Sequence, residues 1–339
     1  MRAAIVEALG RPPTPAEVAN PERRPGEALV RIRAAALNPV ELHIWNGHFF
    51  DGPPRPPYVI GLEGVGVVEE GERLAPGTRV RVEFVHPGYG RDGTVAEYAV
   101  VPEEPDASDR ASQASVAPIG DELDDTAAAA LGVPVYTALM CLERAQRAGA
   151  SLEGAHVLVT AATGAVGQLA IQLAKLMGAA RIVAAGRSRA RLERVRSLGA
   201  DASVELADGL AWEELRALFI EAAGGRLDVA LDPLWGAPAR AVIEALTRDG
   251  VYVSFGQAAS QEAELSGIPL RNRRITLVGH SGAWATPQER QAALARAHEL
   301  ARRGGGRLTL DTEELALERI GDGWERLSAS AGRRLVVKP

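Results

Sequence analysis

The sequence predicts a mixed α/β protein in two parts: a β-rich domain formed by residues 1–119 and 302–339, and an inserted, doubly wound domain with a parallel sheet over residues 120–301. Three observations carry this. Residues 1–119 hold short apolar runs divided by Pro and Gly turns. From about Asp121 short strands alternate with Ala-rich helices. The inserted strands "HVLVTA", "RIVAAG", "DVALD" and "VYVSFG" are apolar on both faces, as strands covered by helices on both sides must be. A length of 339 residues accommodates two domains of about 150 residues each.

In the first part the candidate strands are Ala28–Leu37, Gly64–Glu70, Arg79–Val85 and Val95–Val101. Between the first two lies "NPVELHIWNGHFFDGPPRPPYVIGLEG", a long Pro- and Gly-rich loop with aromatics and two histidines. Loops this long in a compact domain are often functional. "DELDDTAAAALG" opens a helix with acids at its N-terminus, where they complement the dipole. Strands at 157–161, 181–185, 228–232, 250–255 and 274–279 then alternate with helices at 164–177, 189–198 and 236–247. After a helix near Pro287–Arg303, "GRLTLD" and "RRLVVKP" read as β segments returning to the first domain.

Bulk properties exclude several classes. A formal net charge of −6 gives no general attraction to nucleic acid or anionic lipid. The single cysteine, Cys141, allows no internal disulfide and no cysteine-based zinc cluster. The longest apolar stretch, Thr126 to Leu142, is broken by Pro134 and falls short of the ~20 residues of a membrane span. A cytoplasmic enzyme or binding protein is the expectation.

The most informative segment is "VLVTAATGAVGQLAIQLAKLMGA", Val157–Ala179: a strand, a glycine turn and a helix. A dinucleotide-binding turn has three glycines at positions one, three and six. Here Ala162 holds the first position, and Gly164 and Gly167 the others. Thr163, Gly164, Ala165 and Val166 form the candidate pyrophosphate cradle at the helix N-terminus. The alternative is a turn that uses glycine for packing alone. The next strand ends at Gly186, followed by Arg187 and, further on, Arg191. An NAD site places an acid there for the ribose diol, and none occurs before Glu193. An arginine binds a 2′-phosphate that a carboxylate would repel. The expected cofactor is therefore NADP(H). Phe255, Gly256 and Gln257 follow one strand end, and His280 and Ser281 another. Ligands of open α/β sheets bind at such ends, so backbone contacts to a nicotinamide carboxamide are expected there. Asp232 ends a further strand, where it either lines a ribose or caps the following helix.

With these motifs on the page, the chain resembles the zinc-free quinone oxidoreductase branch of the medium-chain dehydrogenase/reductase superfamily. The carriers are "NPVELHIWNG", "GLEGVGVV", "AATGAVG", "LGAD", "DVALDPLWG", "VSFG" and "RRLVVKP". The resemblance implies a GroES-like catalytic domain around an inserted Rossmann domain. It also implies a homodimer formed through Rossmann edge strands, with "RITLVGH" as the partner strand. Zinc-dependent relatives carry Cys at the position of Asn38 and His at that of Leu62, so no metal is expected. A set drawn from Glu41, His43, His48 and Glu63 is the remaining metal alternative. The resemblance further places Asn38 beside nicotinamide and substrate, and Thr137 near the nicotinamide and pyrophosphate. His43 stands where relatives commonly have Tyr, which makes it the candidate hydrogen-bond donor to the substrate oxygen, against a solvent-facing loop histidine.

Without zinc there is no Lewis acid to polarise a simple carbonyl. A conjugated acceptor is easier: a hydride adds to carbon and the charge moves to a distant oxygen that needs only donors. The expected activity is NADPH-dependent reduction of a quinone or α,β-unsaturated carbonyl compound. The alternatives are an enoyl-thioester reductase, with Arg271, Arg273 and Arg274 as candidate contacts, and a non-catalytic NADPH-binding or RNA-binding protein.

Overall fold

The structure is a computed structural model; it describes residues 1–49, 52–84, 87–105, 113–330 and 333–339. The chain packs as two units. One comprises Met1–Val133, Thr286–Gln288 and Leu310–Pro339, and the other Pro134–Ala285 and Glu289–Thr309. In chain order the first unit carries β1 (Arg2–Val6), β2 (Thr14–Glu17), β3 (Glu27–Ala36), α1 (Val40–Trp45), β4 (Tyr58–Val59), β5 (Glu63–Glu70), β6 (Arg79–Glu83), β7 (Tyr98–Pro102), β8 (Ser115–Pro118) and α2 (Asp125–Ala130). Then come α3 (Val133–Arg147), β9 (His156–Val159), α4 (Ala165–Leu176), β10 (Arg181–Gly186), α5 (Arg189–Arg196), β11 (Ala202–Glu205), α6 (Trp212–Ala222), β12 (Val229–Asp232), α7 (Gly236–Ala245), β13 (Val251–Ser254), α8 (Gly267–Asn272), β14 (Thr276–Gly279) and α9 (Pro287–Arg303). The last elements, β15 (Thr312–Ala316), α10 (Ile320–Ser328) and β16 (Arg334–Lys338), belong to the first unit.

In the first unit the main sheet runs β15-β16-β3-β5-β6-β8, with β7 paired to the other part of β3, and a smaller sheet runs β2-β1-β4. Strand β3 is ten residues long and pairs antiparallel with β5, β7 and β16, so it is the spine of this unit. Its alternation of buried Val30 and Ile32 with exposed Arg31 and Arg33 is the pattern of a strand with one wet face. The C-terminal "RRLVVKP" forms β16 on β3, as the sequence indicates. "GRLTLD" does not form a strand. Thr309 pairs instead with the Gln172 side chain, donating its N–H to Oε1 at 3.0 Å and accepting from Nε2 at 2.8 Å. The strand starts at Thr312. Val85, read as the end of a strand, lies outside the described residues, as does Phe50.

The second unit is a six-stranded sheet, all parallel, in the order β11-β10-β9-β12-β13-β14. The strand order reverses between β9 and β12. The crevice at the carboxyl ends there is where such sheets bind ligands. Apolar strands and the buried faces of α4, α6 and α7 fill the interlayer space: Val157, Val183, Leu231, Ile171, Phe219 and Val242 are all almost wholly buried. Strand β11 and helix α6 do not stand out in the sequence, because β11 is a polar edge strand with only Val204 well buried. No helix among the described residues is long and apolar enough to cross a membrane.

Candidate functional site

The second unit gathers candidate residues at the carboxyl end of its sheet. Strand β9 ends at Val159. The chain turns through Ala161, the left-handed residue at φ +46°, and reaches Gly164, the N-cap of α4. A left-handed alanine costs roughly 1 kcal/mol or more. The turn is nonetheless well pinned: Ala162 N–H donates to the Ala185 carbonyl at 2.9 Å, and Gly164 N–H to that of Ala161 at 2.9 Å. A Cβ on Gly167 would come within 2.6 Å of the Ala162 Cα and the Ala161 oxygen. Gly167 thus seats the helix on the turn, as the motif requires. The N-cap Gly164 offers no side-chain cap to the first N–H groups of α4, and a helix N-terminus of this kind is where anions are favoured.

A Cβ on Gly186, at the end of β10, would lie 3.3 Å from the Thr163 methyl, so the phosphate turn sits directly beside this strand end. The next residue, Arg187, is exposed and forms no ion pair among the described residues. Arg191, on α5, is half-buried and already engaged. Of the two arginines, Arg187 is the more exposed.

Asp232, at the end of β12, is fully buried. Its carboxylate accepts from the backbone N–H of Leu234 at 3.2 Å and of Trp235 at 2.9 Å, and from the hydroxyls of Thr160 and Tyr252. It holds Trp235 at φ +60° and ties β9, β12 and β13 together. Its oxygens are occupied, so it builds the floor of the site rather than facing a ribose. Burial, and next the charge of Asp232, push the Tyr252 phenol far above its ordinary range. The loop with Phe255, Gly256 and Gln257 is locked to this floor. Phe255 N–H donates to the Asp232 carbonyl at 3.0 Å, and Ala258 N–H to that of Pro233 at 2.9 Å. An open hollow of about 240 Å³ lies here between Trp235, Tyr252, Gly256, Gln257 and Leu277.

His280 N–H donates to the Ser254 carbonyl at 2.8 Å, which joins the fifth and sixth strand ends. Burial, aided by the charges of Arg144 and Arg147, pushes its imidazole down to about 4, so the ring is neutral at physiological pH. Past Ser281, a Cβ on Gly282 would stand 3.4 Å from the Tyr136 ring and 3.7 Å from the Thr137 hydroxyl. Thr137 and Gly282, far apart in sequence, are thereby neighbours.

In the first unit, Asn38 and His43 have different surroundings. Asn38 is 2% exposed. Its Nδ2 donates to the Ala36 carbonyl and to Glu63 Oε1, each at 3.2 Å. Glu63, fully buried, also accepts from the Val133 N–H at 2.7 Å and from the Arg334 guanidinium, and Arg81 Nη1 lies 3.7 Å from its Oε2. All four partners are donors, which suits the ionised carboxylate. Burial pushes the Glu63 carboxyl up; Arg334 and Arg81 pull against it. A Cβ at Gly132 would fall 1.9 Å from Glu63 Oε2 and 2.3 Å from Arg81 Nη1, so a glycine is required there. Arg81, Gly132 and Arg334 carry no spacing signal that sequence reading could use. His43 is exposed on α1, a helix of six residues, and His48 is exposed after it. Two exposed histidines and two buried carboxylates do not converge. Among the described residues no group of three or more His, Cys, Asp or Glu side chains is placed to hold a metal.

Glu41 is buried on the inner face of α1. Its Oε1 accepts from the N–H of Asn38 at 3.1 Å and of Leu62 at 3.4 Å, while Oε2 has no hydrogen-bond partner among the described residues. Burial raises this carboxyl to about 7, against the two N–H groups and the Arg334 charge, which lower it. A folded value above the unfolded one means the stabilising proton is fully present below about pH 4.5 and lost as pH rises through about 7. Wild-type stability should therefore decline across this window relative to Glu41→Gln, by a total on the order of 3 kcal/mol. Urea unfolding of both proteins from pH 5 to pH 8 measures it; a stability gap that does not vary with pH contradicts the assignment.

Comparison with known proteins agrees with this architecture. Residues 24–106 match the family model described as alcohol dehydrogenase GroES-like domain, and residues 165–299 the model described as zinc-binding dehydrogenase. An alcohol dehydrogenase of Geobacillus stearothermophilus is 27% identical over 100% of this chain and 99% of its own. A quinone oxidoreductase of Lama guanicoe is 34% identical over 52% of this chain and 49% of its own. The chain spans about half the length of several of the curated relatives it matches. The solved quinone oxidoreductase of Thermus thermophilus, whose study includes its complex with NADPH, is 28% identical and superposes with a TM-score of 0.77 over 100% of both chains. From its two family models, its fold and its relatives, the chain belongs to the medium-chain dehydrogenase/reductase superfamily, in its quinone oxidoreductase branch.

Proposed function

We propose that this oxidoreductase uses NADPH to reduce a quinone or an α,β-unsaturated carbonyl compound, and that it does so without zinc. The observation that carries the reading is Arg187: an exposed guanidinium one residue past Gly186, which itself abuts Thr163 of the phosphate turn. A dinucleotide fits this cradle. The N–H groups of Ala165 and Val166 receive the pyrophosphate, and Arg187 the 2′-phosphate, with Arg191 behind it. Thr137, Phe255, Gly256, Gln257, His280 and Ser281 ring the far end of the sheet, where the nicotinamide belongs. The bound cofactor supplies the hydride; the chain supplies placement and hydrogen bonds.

The donor set supports zinc independence, although one of the matched models describes zinc-binding dehydrogenases. Asn38 and Leu62 stand where zinc-dependent relatives carry ligands, and the Asn38 amide is committed to Ala36 and Glu63. In this reading Asn38 is a positioning residue that holds the start of α1. His43, exposed on that helix, is the donor to the oxygen on which charge develops in the acceptor. Of the basic residues named for the thioester alternative, Arg273 is bound to Glu244 and to the Leu246 carbonyl and Arg274 forms a bidentate pair with Asp249, while Arg271 is exposed. The half-exposed edge strand β14 is the proposed seam of a homodimer.

The direct test follows oxidation of NADPH by 1,4-benzoquinone, methyl vinyl ketone and crotonyl-CoA, with and without EDTA. Turnover of the quinone or the enone that survives chelation is expected. Turnover of simple alcohols alone, abolished by chelation, would overturn the proposal. Cofactor choice is tested separately. Arg187→Ala should weaken NADPH binding by roughly ten- to a hundredfold, the loss of a charge-assisted contact, and leave NADH affinity almost unchanged. Equal weakening of both cofactors would show that Arg187 does not read the 2′-phosphate.

A further inference from the structure

We propose that Gln168 is a positioning residue of the cofactor site: its amide holds the Thr163 carbonyl back from the pyrophosphate, so that the turn offers the anion N–H groups alone. This rests on the dinucleotide reading above. The starting observation is a polar side chain in an apolar place. Helix α4 has three polar side chains, Gln168, Gln172 and Lys175. Lys175 is exposed and Gln172 half-buried, whereas Gln168 is only 8% exposed. Burying an amide costs free energy unless its groups are bonded. Gln168 Nε2 donates to the Thr163 carbonyl at 3.0 Å. A carbonyl oxygen only accepts, so the NH₂ end of the amide faces it. Helix side chains lean toward the helix N-terminus, which is how a residue one turn into α4 reaches back to the turn. Among the described residues, Gln168 is the one side chain bonded to the backbone of residues 161–164.

The turn needs this contact. Ala161 is left-handed, so the chain here lies off its intrinsic minimum and keeps its shape through its neighbours. The peptide unit between Thr163 and Gly164 is fixed at both ends. Its N–H donates to the Ala161 carbonyl at 2.9 Å, and its oxygen accepts from Gln168. The next carbonyl, that of Gly164, accepts the backbone N–H of Gln168 at 2.9 Å. One residue thus occupies two consecutive carbonyl oxygens, and the N–H groups of Ala165 and Val166 remain as the helix end. Without the amide, the Thr163 oxygen is free to turn toward a bound phosphate. Its partial negative charge there opposes the attraction of the helix N-terminus for an anion. The contact therefore acts on the pyrophosphate, which every such dinucleotide carries, and not on the 2′-phosphate, for which Arg187 is the proposed partner. Gln172 provides a control on the same helix. Its Nε2 donates to the Gln168 carbonyl at 3.0 Å and to the Thr309 carbonyl at 2.8 Å, and it makes no hydrogen bond to the turn.

The test measures, by calorimetry, the affinities of NADP⁺, NAD⁺ and adenosine 2′-monophosphate, which lacks the pyrophosphate. The proteins are wild type, Gln168→Met, Gln168→Glu and Gln172→Met. Gln168→Met keeps the length and loses the donor. In it NADP⁺ and NAD⁺ should weaken by the same factor, roughly five- to thirtyfold, while the monophosphate holds. Gln168→Glu keeps the shape of the side chain, and its carboxylate has no proton to donate. It should weaken both dinucleotides at least as much, which keeps the test decisive if the methionine variant does not fold. Gln172→Met should leave all three affinities unchanged. Dinucleotide binding like wild type in the Gln168 variants, a parallel loss of the monophosphate, or the same loss in Gln172→Met would each reduce Gln168 to a support of the helix and overturn the proposal. NADP⁺ binding by wild type would then leave the cofactor reading standing. A wild-type protein that binds neither dinucleotide ends that reading, and this inference with it.

Discussion

A single buried carboxylate organises the first unit. Glu63 accepts from groups 25, 70 and 271 residues away in sequence: the Asn38 amide, the Val133 N–H and the Arg334 guanidinium. Arg81, from the neighbouring strand, completes the set. In one place this fixes the start of α1, the end of the first chain segment and the strand on which the chain returns. Such a cluster is a poor source of stability by itself, because its charges have left water, but removing one member costs about 3–5 kcal/mol. Its value here is specificity of arrangement. Gly132, with no room for a methyl group, passes directly against Glu63 and Arg81. Segments from both ends of the chain therefore have one register in which the Asn38, Val133 and Arg334 donors reach Glu63.

The second unit has its own counterpart in Asp232. There too a fully buried carboxylate collects donors, from Thr160, Leu234, Trp235 and Tyr252, and so joins the strand ends on both sides of the point where strand order reverses. The phosphate turn hangs from β9 and the Phe255 loop from β13, both held against this floor. The proposed binding groups, Arg187 and the N–H groups of α4, stand over a buried, hydrogen-bonded layer at the strand ends. That is what a site needs if its contacts are to be made without reordering the backbone.

Much of this is legible in the sequence, for definite physical reasons. Strands buried on both faces announce a parallel sheet, and Gly167 announces the turn because no other residue lets α4 sit so close. The arginine past Gly186 stands out in the sequence because an NAD site is expected to carry an acid there, and the proposed role of Arg187 starts from that departure. What stays hidden depends on tertiary neighbours. In "RVRVE" the alternation suggests that Arg81 faces water, yet it is buried, since both faces of that strand are covered. Arg334 looks like one more basic residue near a terminus. Asp232, read from sequence, is equally able to bind a ribose or cap a helix; in the structure it accepts from Thr160, Leu234, Trp235 and Tyr252, and the helix that follows has no side-chain cap. The left-handed residue is Ala161, one place before the glycine position of the motif, and nothing in the local sequence marks it.

The central claim is that Glu63 holds three distant segments at once. Hydrogen exchange in wild type and Glu63→Gln tests it most directly. The glutamine is close to the same shape, but its NH₂ group would face donors where the carboxylate accepted. The account predicts that amides in residues 36–39, 128–133 and 334–338 lose protection together, while the parallel sheet from His156 to Gly279 retains it. Loss confined to the immediate neighbourhood of residue 63, or no loss at all, would contradict it.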